Sequence, residues 1–326
     1  VDMPAGTTVE KTAGVLQELG THLLKEPEVM NYQAYAGTSS PINFNGLVRQ
    51  YYLRQGGEVG DIQVNLVDKH ERKHKSHAIA TRIRPALQAI GKHYGANVKV
   101  VEVPPGPPVM SPIVAEIYGQ DRQGRQQVTK AVRRVFDQAD GIVDVDDTTI
   151  VEAPKLHLKI DRQKAALLHV SQAQILSALR SGLVGESITY LHDESKYPVA
   201  VSILLPPERH GDIESLLKLT VRSQNGQLIP IRELVTTEQS KQEAPIYHKD
   251  LLPFDMVIAD MAGKSDSPLY GMFAMRDEIK KIVAPNQQPL KEYFIQQPED
   301  TYKHYAIKWD GEWQITYDTF RDMGAA

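Results

Sequence analysis

The chain has 326 residues, of which 41% are hydrophobic and 24% charged, and its formal net charge is −4. This length allows two or three domains, and the composition is that of a folded globular protein. Lys and Arg are spread evenly, which excludes a basic surface of the kind that binds nucleic acid or anionic lipid. The absence of cysteine excludes disulfides, thiolate catalysis and Cys-ligated zinc. No apolar run reaches the roughly 18–20 residues that a membrane span needs.

The first hundred residues alternate between helical and extended patterns. Thr7 and Glu10 form a T-x-x-E capping box, which predicts the start of a helix that Pro27 ends. Strands are predicted around residues 30–36 and 62–66, followed by a helix that Pro85 kinks. A further strand is predicted from Val98 to Val103, before the Pro-rich linker at residues 104–108.

The same pattern starts again after the linker. Strands are predicted around residues 113–117 and 156–160, with a helix between them. The residues that follow have a different pattern of predicted elements. A strand at residues 254–258 and a helix near Met275–Val283 then resume the first pattern. The sequence therefore predicts an α+β fold with two ferredoxin-like βαβ modules, each a mixed or antiparallel sheet with helices on one face. A smaller α+β domain is inserted in the second module.

Four strings in chain order carry a family resemblance. They are Met3-Pro4-Ala5-Gly6-Thr7, the segment from Ile160 to Ile175 with a Ser171/Gln174 capping box, Asn225-Gly226-Gln227-Leu228, and Thr319-Phe320-Arg321-Asp322-Met323. Together they resemble the second periplasmic loop of inner-membrane pumps of the resistance–nodulation–cell-division (RND) superfamily. Residues 286–318 match the pumps' pattern least well.

The resemblance implies a domain organisation and a set of partners. Residues 1–108 would be the first porter subdomain, 109–162 with 251–326 the second, and 163–250 the inserted docking (funnel) subdomain. The family's proton-driven pumps are trimers in the bacterial inner membrane, and they work with a periplasmic adaptor and an outer-membrane channel. We therefore expect a substrate-binding and docking portion on the periplasmic face, cut at both ends from its own membrane domain. No nucleic-acid partner and no cofactor are expected.

The resemblance also implies the site residues. The stretch Gly37–Gly57 lies where the family has a mobile loop that gates the substrate cleft, although an ordinary glycine-rich connection has the same composition. The expected cleft residues are Tyr35, Gly37, Phe44, Gly46, Tyr51, Tyr52 and Met110. If Tyr51 and Tyr52 alternate along a strand, only one of them faces the cleft. Contact with the channel is expected at Ser223, Gln224, Asn225 and Gly226, which otherwise form a solvent-exposed turn.

Three groups of residues have side chains that can bind metal ions, but a structural role is favoured for each group. Met3, Met30 and Met110 could guide a soft metal ion, but methionine more often fills cores. His70, His74 and His77 have the spacing of a helical zinc triad, yet lysines and an arginine surround them, so a solvated helix start is favoured. Asp144, Asp146 and Asp147 lack the glycine and distal glutamate of a calcium loop and suggest a solvent-facing turn. No metal site is predicted.

No catalytic motif is present: the sequence has no G-x-S-x-G, H-E-x-x-H, P-loop or dinucleotide fingerprint. A transporter portion is therefore favoured over a periplasmic enzyme, and over a stand-alone extracytoplasmic solute-binding module. The substrate class stays open among drugs, metals and lipids, with a mild preference for organic molecules.

Overall fold

The computed structural model describes residues 1–102, 109–149, 153–206, 209, 212–262 and 267–325. The chain forms two compact units, Val1–Ala153 with Glu243–Ala326, and Pro154–Gln242. Within the first unit we call residues 1–102 the first half, and residues 109–153 with 243–326 the second half. The predicted linker and Val103 lie outside the described residues.

The first half has helices packed on a small antiparallel sheet. Its elements are α1 (Val9–Leu23), β1 (Val29–Ala36), α2 (Phe44–Val48), a 3₁₀ turn (Tyr51–Leu53), β2 (Gly60–Leu66) and α3 (Ser76–His93). β1 and β2 pair antiparallel. Asp2 forms isolated bridges with Val59 and Asn97, which place the first residues beside the end of the sheet. Apolar residues of α1 and α3 form the core with Met3 and Val98.

Two predictions for the first half were wrong. The N-cap of α1 is Thr8, whose hydroxyl accepts the Lys11 N–H at 3.5 Å, while the Thr7 hydroxyl donates to the Pro4 carbonyl. No strand covers residues 98–102. The Val100 N–H donates to the Asp144 carboxylate at 3.2 Å instead of to a neighbouring strand, so a side chain replaces the ladder that alternation predicts.

The second half begins with β3 (Ile113–Tyr118), α4 (Arg122–Gln138) and β4 (Ile142–Asp147). The first two were predicted. β4 contains the acidic run that sequence reasoning assigned to a solvent-facing turn, and that prediction was wrong. Aspartate is depleted in strands, but here each carboxylate of the run has a polar or charged partner.

The unit Pro154–Gln242 has its own small core. Its elements are β5 (Pro154–Ile160), α5 (Arg162–Leu167), α6 (Gln172–Leu183), β6 (Glu186–Leu191), β7 (Val199–Ile203), α7 (Ile213–Leu217), β8 (Thr220–Arg222), β9 (Leu228–Pro230) and β10 (Val235–Lys241). The predicted capping box of Ser171 and Gln174 at α6 is confirmed. β5 was expected to belong to the second βαβ module, but it pairs antiparallel with β10 of this unit.

The chain then returns to complete the second half. The remaining elements are β11 (His248–Lys249), β12 (Leu252–Met261), α8 (Pro268–Ile279), β13 (Lys291–Tyr293), β14 (Ala306–Gly311) and α9 (Glu312–Ala325). α8 begins seven residues before the predicted Met275, because Pro268 suits the first helical turn. The poorly matching residues 286–318 supply β13 and β14 and the first residues of α9.

A six-stranded mixed sheet forms the centre of the second half. β12 pairs with β3 along one edge and with β4 and β11 along the other, while β14 joins β3 and β13. Helices α4 and α8 cover one face, where Trp309 is fully buried and stacks on Phe136 at 6.1 Å. The α+β fold class with mixed and antiparallel sheets is confirmed. Across the described residues, no helix is both long and apolar enough to span a bilayer.

Two helical glycines, Gly124 on α4 and Gly14 on α1, differ in how tightly their surroundings are packed. A methyl group at Gly124 would overlap the buried Tyr305 ring, whereas one at Gly14 would meet no atom within 4 Å. Gly124→Ala should lower the free energy of unfolding by about 1–3 kcal/mol through overpacking. Gly14→Ala should raise it by about 0.4–1 kcal/mol, because alanine restricts the unfolded chain. Urea unfolding measures both; equal effects would contradict the packing of Tyr305 on α4.

Candidate functional site

A cavity of about 800 Å³ lies between the two halves of the first unit. We call this cavity the cleft. Its walls come from the first residues of the chain, residues 49–59 and 95–101, and, from the second half, Met110–Ser111, β4 and β12. Six acidic and four basic residues line it, so its wall is highly charged. The cleft thus contains charged groups that the apolar cores exclude.

Strand alternation explains how β12 contributes to the cleft. Val257 and Ala259 point into the core on the helical face of the sheet. Met256, Ile258 and Asp260 are half-buried and line the cleft on the other face. One strand therefore supplies both the core and a wall of the cleft.

Three ion pairs connect the halves around the cleft. Arg49 binds Asp260 at 3.0 Å, Arg84 binds Asp144, and Lys99 binds Asp146. Every cation belongs to the first half and every carboxylate to the second. We call this set of six residues the ionic junction.

Neighbouring charges complete the network around the junction. Lys99 also binds Asp2 at 2.9 Å, and Arg133 binds Asp147 at 2.5 Å. Burial alone would raise the pKa of Asp2, but the charges of Lys99 and Arg54 outweigh it and hold that pKa well below its usual value. Burial would likewise lower the pKa of Lys99, yet Asp146 and Asp2 raise it. Asp2 and Lys99 therefore stay ionised at neutral pH.

Asp144 differs from its neighbours. Burial raises the pKa of its carboxyl, although Arg84 lies beside it. Its backbone has a φ of +54°, in the left-handed region that aspartate tolerates better than most residues. Asp144 thus combines a carboxylate whose charge burial disfavours with a backbone conformation that few non-glycine residues adopt.

The structure brings two of the seven predicted cleft residues to the cleft. Tyr51 and Met110 line it. Tyr51 and Tyr52 lie in a 3₁₀ turn instead of a strand, and burial raises the pKa of Tyr51. The other five predicted residues are not among its lining residues: Tyr35 on β1, Gly37 after it, Phe44 and Gly46 on α2, and Tyr52.

The three methionines considered as metal ligands lie in different environments. Met3 and Met110 line the cleft, whereas Met30 is 61% exposed on β1. Met256 joins them, which sequence reasoning missed; its place in the alternating pattern of β12 was the available signal. Arg49, Lys99 and Asp260 were also missed, since single charged residues carry no motif.

The structure places His70, His74 and His77 near the start of α3. His70 and His74 precede α3, and His74 contacts Glu28 at 2.6 Å while His77 contacts Glu102 at 3.0 Å. Throughout the described part of the chain, no three histidine, aspartate or glutamate side chains are grouped so that they could hold a metal ion.

The predicted docking residues form the tip of a hairpin between β8 and β9. The Gly226 N–H donates to the Ser223 carbonyl at 2.9 Å, and Gly226 has a φ of +85°. Gln224, Asn225 and Gly226 are exposed, but Ser223 is buried, and its hydroxyl accepts the Gln227 N–H. The Gln224 N–H donates to the His169 carbonyl at 3.0 Å, which fixes the tip to the turn before α6.

A family model and two known proteins match the sequence of this chain. The family model described as "AcrB/AcrD/AcrF family" matches residues 1–288. The "Cobalt-zinc-cadmium resistance protein CzcA" of Cupriavidus metallidurans and the "Cation efflux system protein CzcA" of an Alcaligenes species are each 27% identical over 138 residues. That segment is 40% of this chain and 13% of each relative.

Solved structures show the same fold. Two crystal forms of a heavy metal efflux pump match with a TM-score of 0.67 at 15% and 16% identity. The match covers 99% of this chain but only 32% and 31% of the pump chain. The chain thus spans about a third of the length of these pump structures.

Lys99 is the cation on which two carboxylates of the cleft depend. Lys99→Met should lower the free energy of unfolding by about 1–3 kcal/mol, because half-buried Asp2 and Asp146 lose their shared partner and keep only Arg54 and Arg133 nearby. Lys281→Met is the matched control, since its pair with Glu278 is largely exposed, and it should cost less than about 1 kcal/mol. Chemical unfolding measures both; a Lys99 effect as small as the control would contradict this role.

Proposed function

Because the chain belongs to the AcrB/AcrD/AcrF family, within the RND superfamily of efflux transporters, we propose that it is the periplasmic substrate-binding and docking portion of an efflux pump. The two halves of the first unit act as the porter subdomains, and substrate passes through the cleft between them. The unit Pro154–Gln242 acts as the docking subdomain. Family membership favours this function over a solute-binding module or an enzyme.

The position of the cleft is the observation that carries the proposal. Each half has its own apolar core, and the cleft lies where polar groups of the two halves meet. Interfaces of this polar kind allow neighbouring domains to move relative to each other. A passage that must open and close needs such an interface, whereas a permanent core would resist the movement.

We propose a metal cation as the cargo, in place of the organic substrates that the sequence mildly favoured. The two curated relatives are named for cation efflux and for cobalt, zinc and cadmium resistance, and the solved neighbour is a heavy metal efflux pump. The lining of the cleft is compatible with this cargo. Carboxylates outnumber basic groups by six to four, and Met3, Met110 and Met256 offer thioethers for softer ions.

The docking role is proposed for the tip of the β8–β9 hairpin. Its exposed residues are Gln224, Asn225 and Gly226, while buried Ser223 supports the turn. The Gln224 N–H donates to the His169 carbonyl, and the side-chain amide of Gln174 on α6 donates to the carbonyl of Arg222 beside the tip. In the full-length transporter we propose contact with an outer-membrane channel, together with a periplasmic adaptor, a homotrimeric assembly and a position on the periplasmic face of the inner membrane.

Filling the cleft tests the passage of cargo. In a strain that lacks the parent gene, the full-length transporter should restore growth on zinc, cobalt, cadmium, copper or silver salts. Met110→Trp should abolish this tolerance because the larger ring occupies the cleft without removing an ion pair. Met30→Trp is the matched control and should keep full tolerance, since Met30 is exposed away from the cleft. Tolerance restored only to antibiotics or detergents would contradict the cation cargo, and full tolerance with Met110→Trp would contradict the passage.

Two charges at the hairpin tip test docking. Gln224→Arg combined with Asn225→Arg should reduce recovery of the channel with the purified full-length transporter by about tenfold, as expected when unpaired charges enter an interface. The folding of the variant should be unchanged, because both side chains are exposed. Lys281→Arg with Asp277→Arg serves as the exposed control. Unchanged recovery of the channel would assign docking to another surface.

A further inference from the structure

The turn between β11 and β12 holds a leucine in an unfavourable backbone conformation. Lys249 pairs with Leu252, so the turn has two residues, Asp250 and Leu251. Their φ angles are +49° and +66°, as in a type I′ turn, whose second residue is typically glycine. A left-handed backbone brings the Cβ atom of an L-residue too close to the following carbonyl oxygen. Leu251 therefore lowers the stability of the turn relative to glycine.

The Leu251 side chain is also 94% exposed, and among the described residues no other large apolar side chain is as exposed. A single exposed leucine is common in folded proteins. Here, however, neither burial nor backbone preference favours leucine, so contacts within the described fold do not account for it. An unfavourable backbone conformation of this kind points to a function of the residue that holds it.

The rest of the turn is held firmly. The Lys249 ammonium binds the carboxylates of Glu116 on β3 and Asp310 on β14, and Glu116 is buried. The side-chain amide of Gln297 donates to the Asp250 carboxylate. Both residues before the leucine are thus tied to the sheet and to the segment after β13. A side chain presented from such a fixed turn loses little conformational entropy when it binds, which favours affinity.

The groups fixed in and beside the turn indicate what kind of partner fits it. Lys249, Asp250 and Gln297 are polar, so the leucine is an apolar centre with a polar rim, as in interfaces between separately folded proteins. A lipid bilayer would have to desolvate the Asp250 carboxylate. A permanent contact with a second copy needs a wider apolar surface than one leucine. A separately folded protein with an apolar pocket is therefore favoured.

We propose that Leu251 is an anchor for a protein partner: its side chain enters an apolar pocket of that partner, and the rim of the pocket offers hydrogen-bond donors to Asp250. The inference rests on the proposed function, because it takes the periplasmic adaptor as the partner. The channel is assigned to the β8–β9 tip, which belongs to the other compact unit. The anchor thus gives the adaptor a contact surface of its own, in the first unit.

Cross-linking identifies the partner. In cells that carry the full-length transporter, the photoreactive residue p-benzoylphenylalanine in place of Leu251 should give, on irradiation, a product that contains the adaptor, identified by mass spectrometry. Gln287 is the matched control, since it is exposed and has a φ of +62°, and the same replacement there should give no adaptor product. A product with a second copy, with the channel or with lipid would overturn the proposal, as would the absence of any product.

Replacement of the leucine by glycine separates contact from folding. Leu251→Gly should raise the melting temperature of the 326-residue chain by about 1–3 °C, because glycine relieves the left-handed turn. The same change in the full-length transporter should weaken binding of the purified adaptor by about tenfold or more, as truncation of an interface anchor does. Leu251→Met keeps an apolar side chain and should stay within about threefold of the original affinity.

Gln287→Gly is the control for both measurements. It should raise the melting temperature to a similar extent and leave adaptor binding unchanged. Binding that is unchanged in Leu251→Gly would overturn the anchor, and a lower melting temperature would overturn the backbone strain from which the anchor is inferred.

The outcomes distinguish the anchor from the passage of cargo. If Met110→Trp abolishes metal tolerance but no adaptor is cross-linked from position 251, the passage stands and the anchor fails. If the adaptor is cross-linked and Leu251→Gly weakens its binding while Met110→Trp keeps full tolerance, the anchor stands and the passage fails.

Discussion

The ion pairs between the two halves are the interaction on which the first unit depends. Each half buries its own apolar surface, and the sheet of the second half is covered by helices on one face only. The opposite face of β12 and the edge strand β4 are left to meet the first half, and they do so with carboxylates. The cleft follows from this arrangement, since charged side chains are costly to bury without full pairing and hydrogen bonding and therefore stay where water can reach them.

The elements that the sequence predicts well are those with strong local signals. α4 has an apolar stripe at helical spacing, α6 has a capping box, and β3 is almost continuously apolar. The predictions fail where a tertiary contact replaces a local rule. β4 needs Lys99 and Arg133 to make its acidic run tolerable as a strand, and the backbone at Val100 bonds to a side chain. These three partners lie 14, 44 and 47 residues away along the chain, so no local pattern could reveal them.

The candidate site shows the same division. Two residues predicted from family resemblance, Tyr51 and Met110, line the cleft, but the residues that give the cleft its charge were not recognised. Arg49, Lys99 and Asp260 are 50 and 161 residues apart along the chain and are ordinary surface residues by type. Only the fold brings them to one place. A solvated turn and a wall of a charged cleft have similar compositions, because both are rich in aspartate and arginine.

The alternation along β12 has a consequence for how this protein can vary. Val257 and Ala259 are core residues, while Met256, Ile258 and Asp260 face the cleft. Inserting or deleting a single residue within the strand would exchange the two sets and bury a carboxylate in the core, so such length changes should be eliminated during evolution. Single substitutions at the three cleft positions leave the core intact. Divergence among descendants of this protein should therefore alter what the cleft accepts one side chain at a time, at constant strand length.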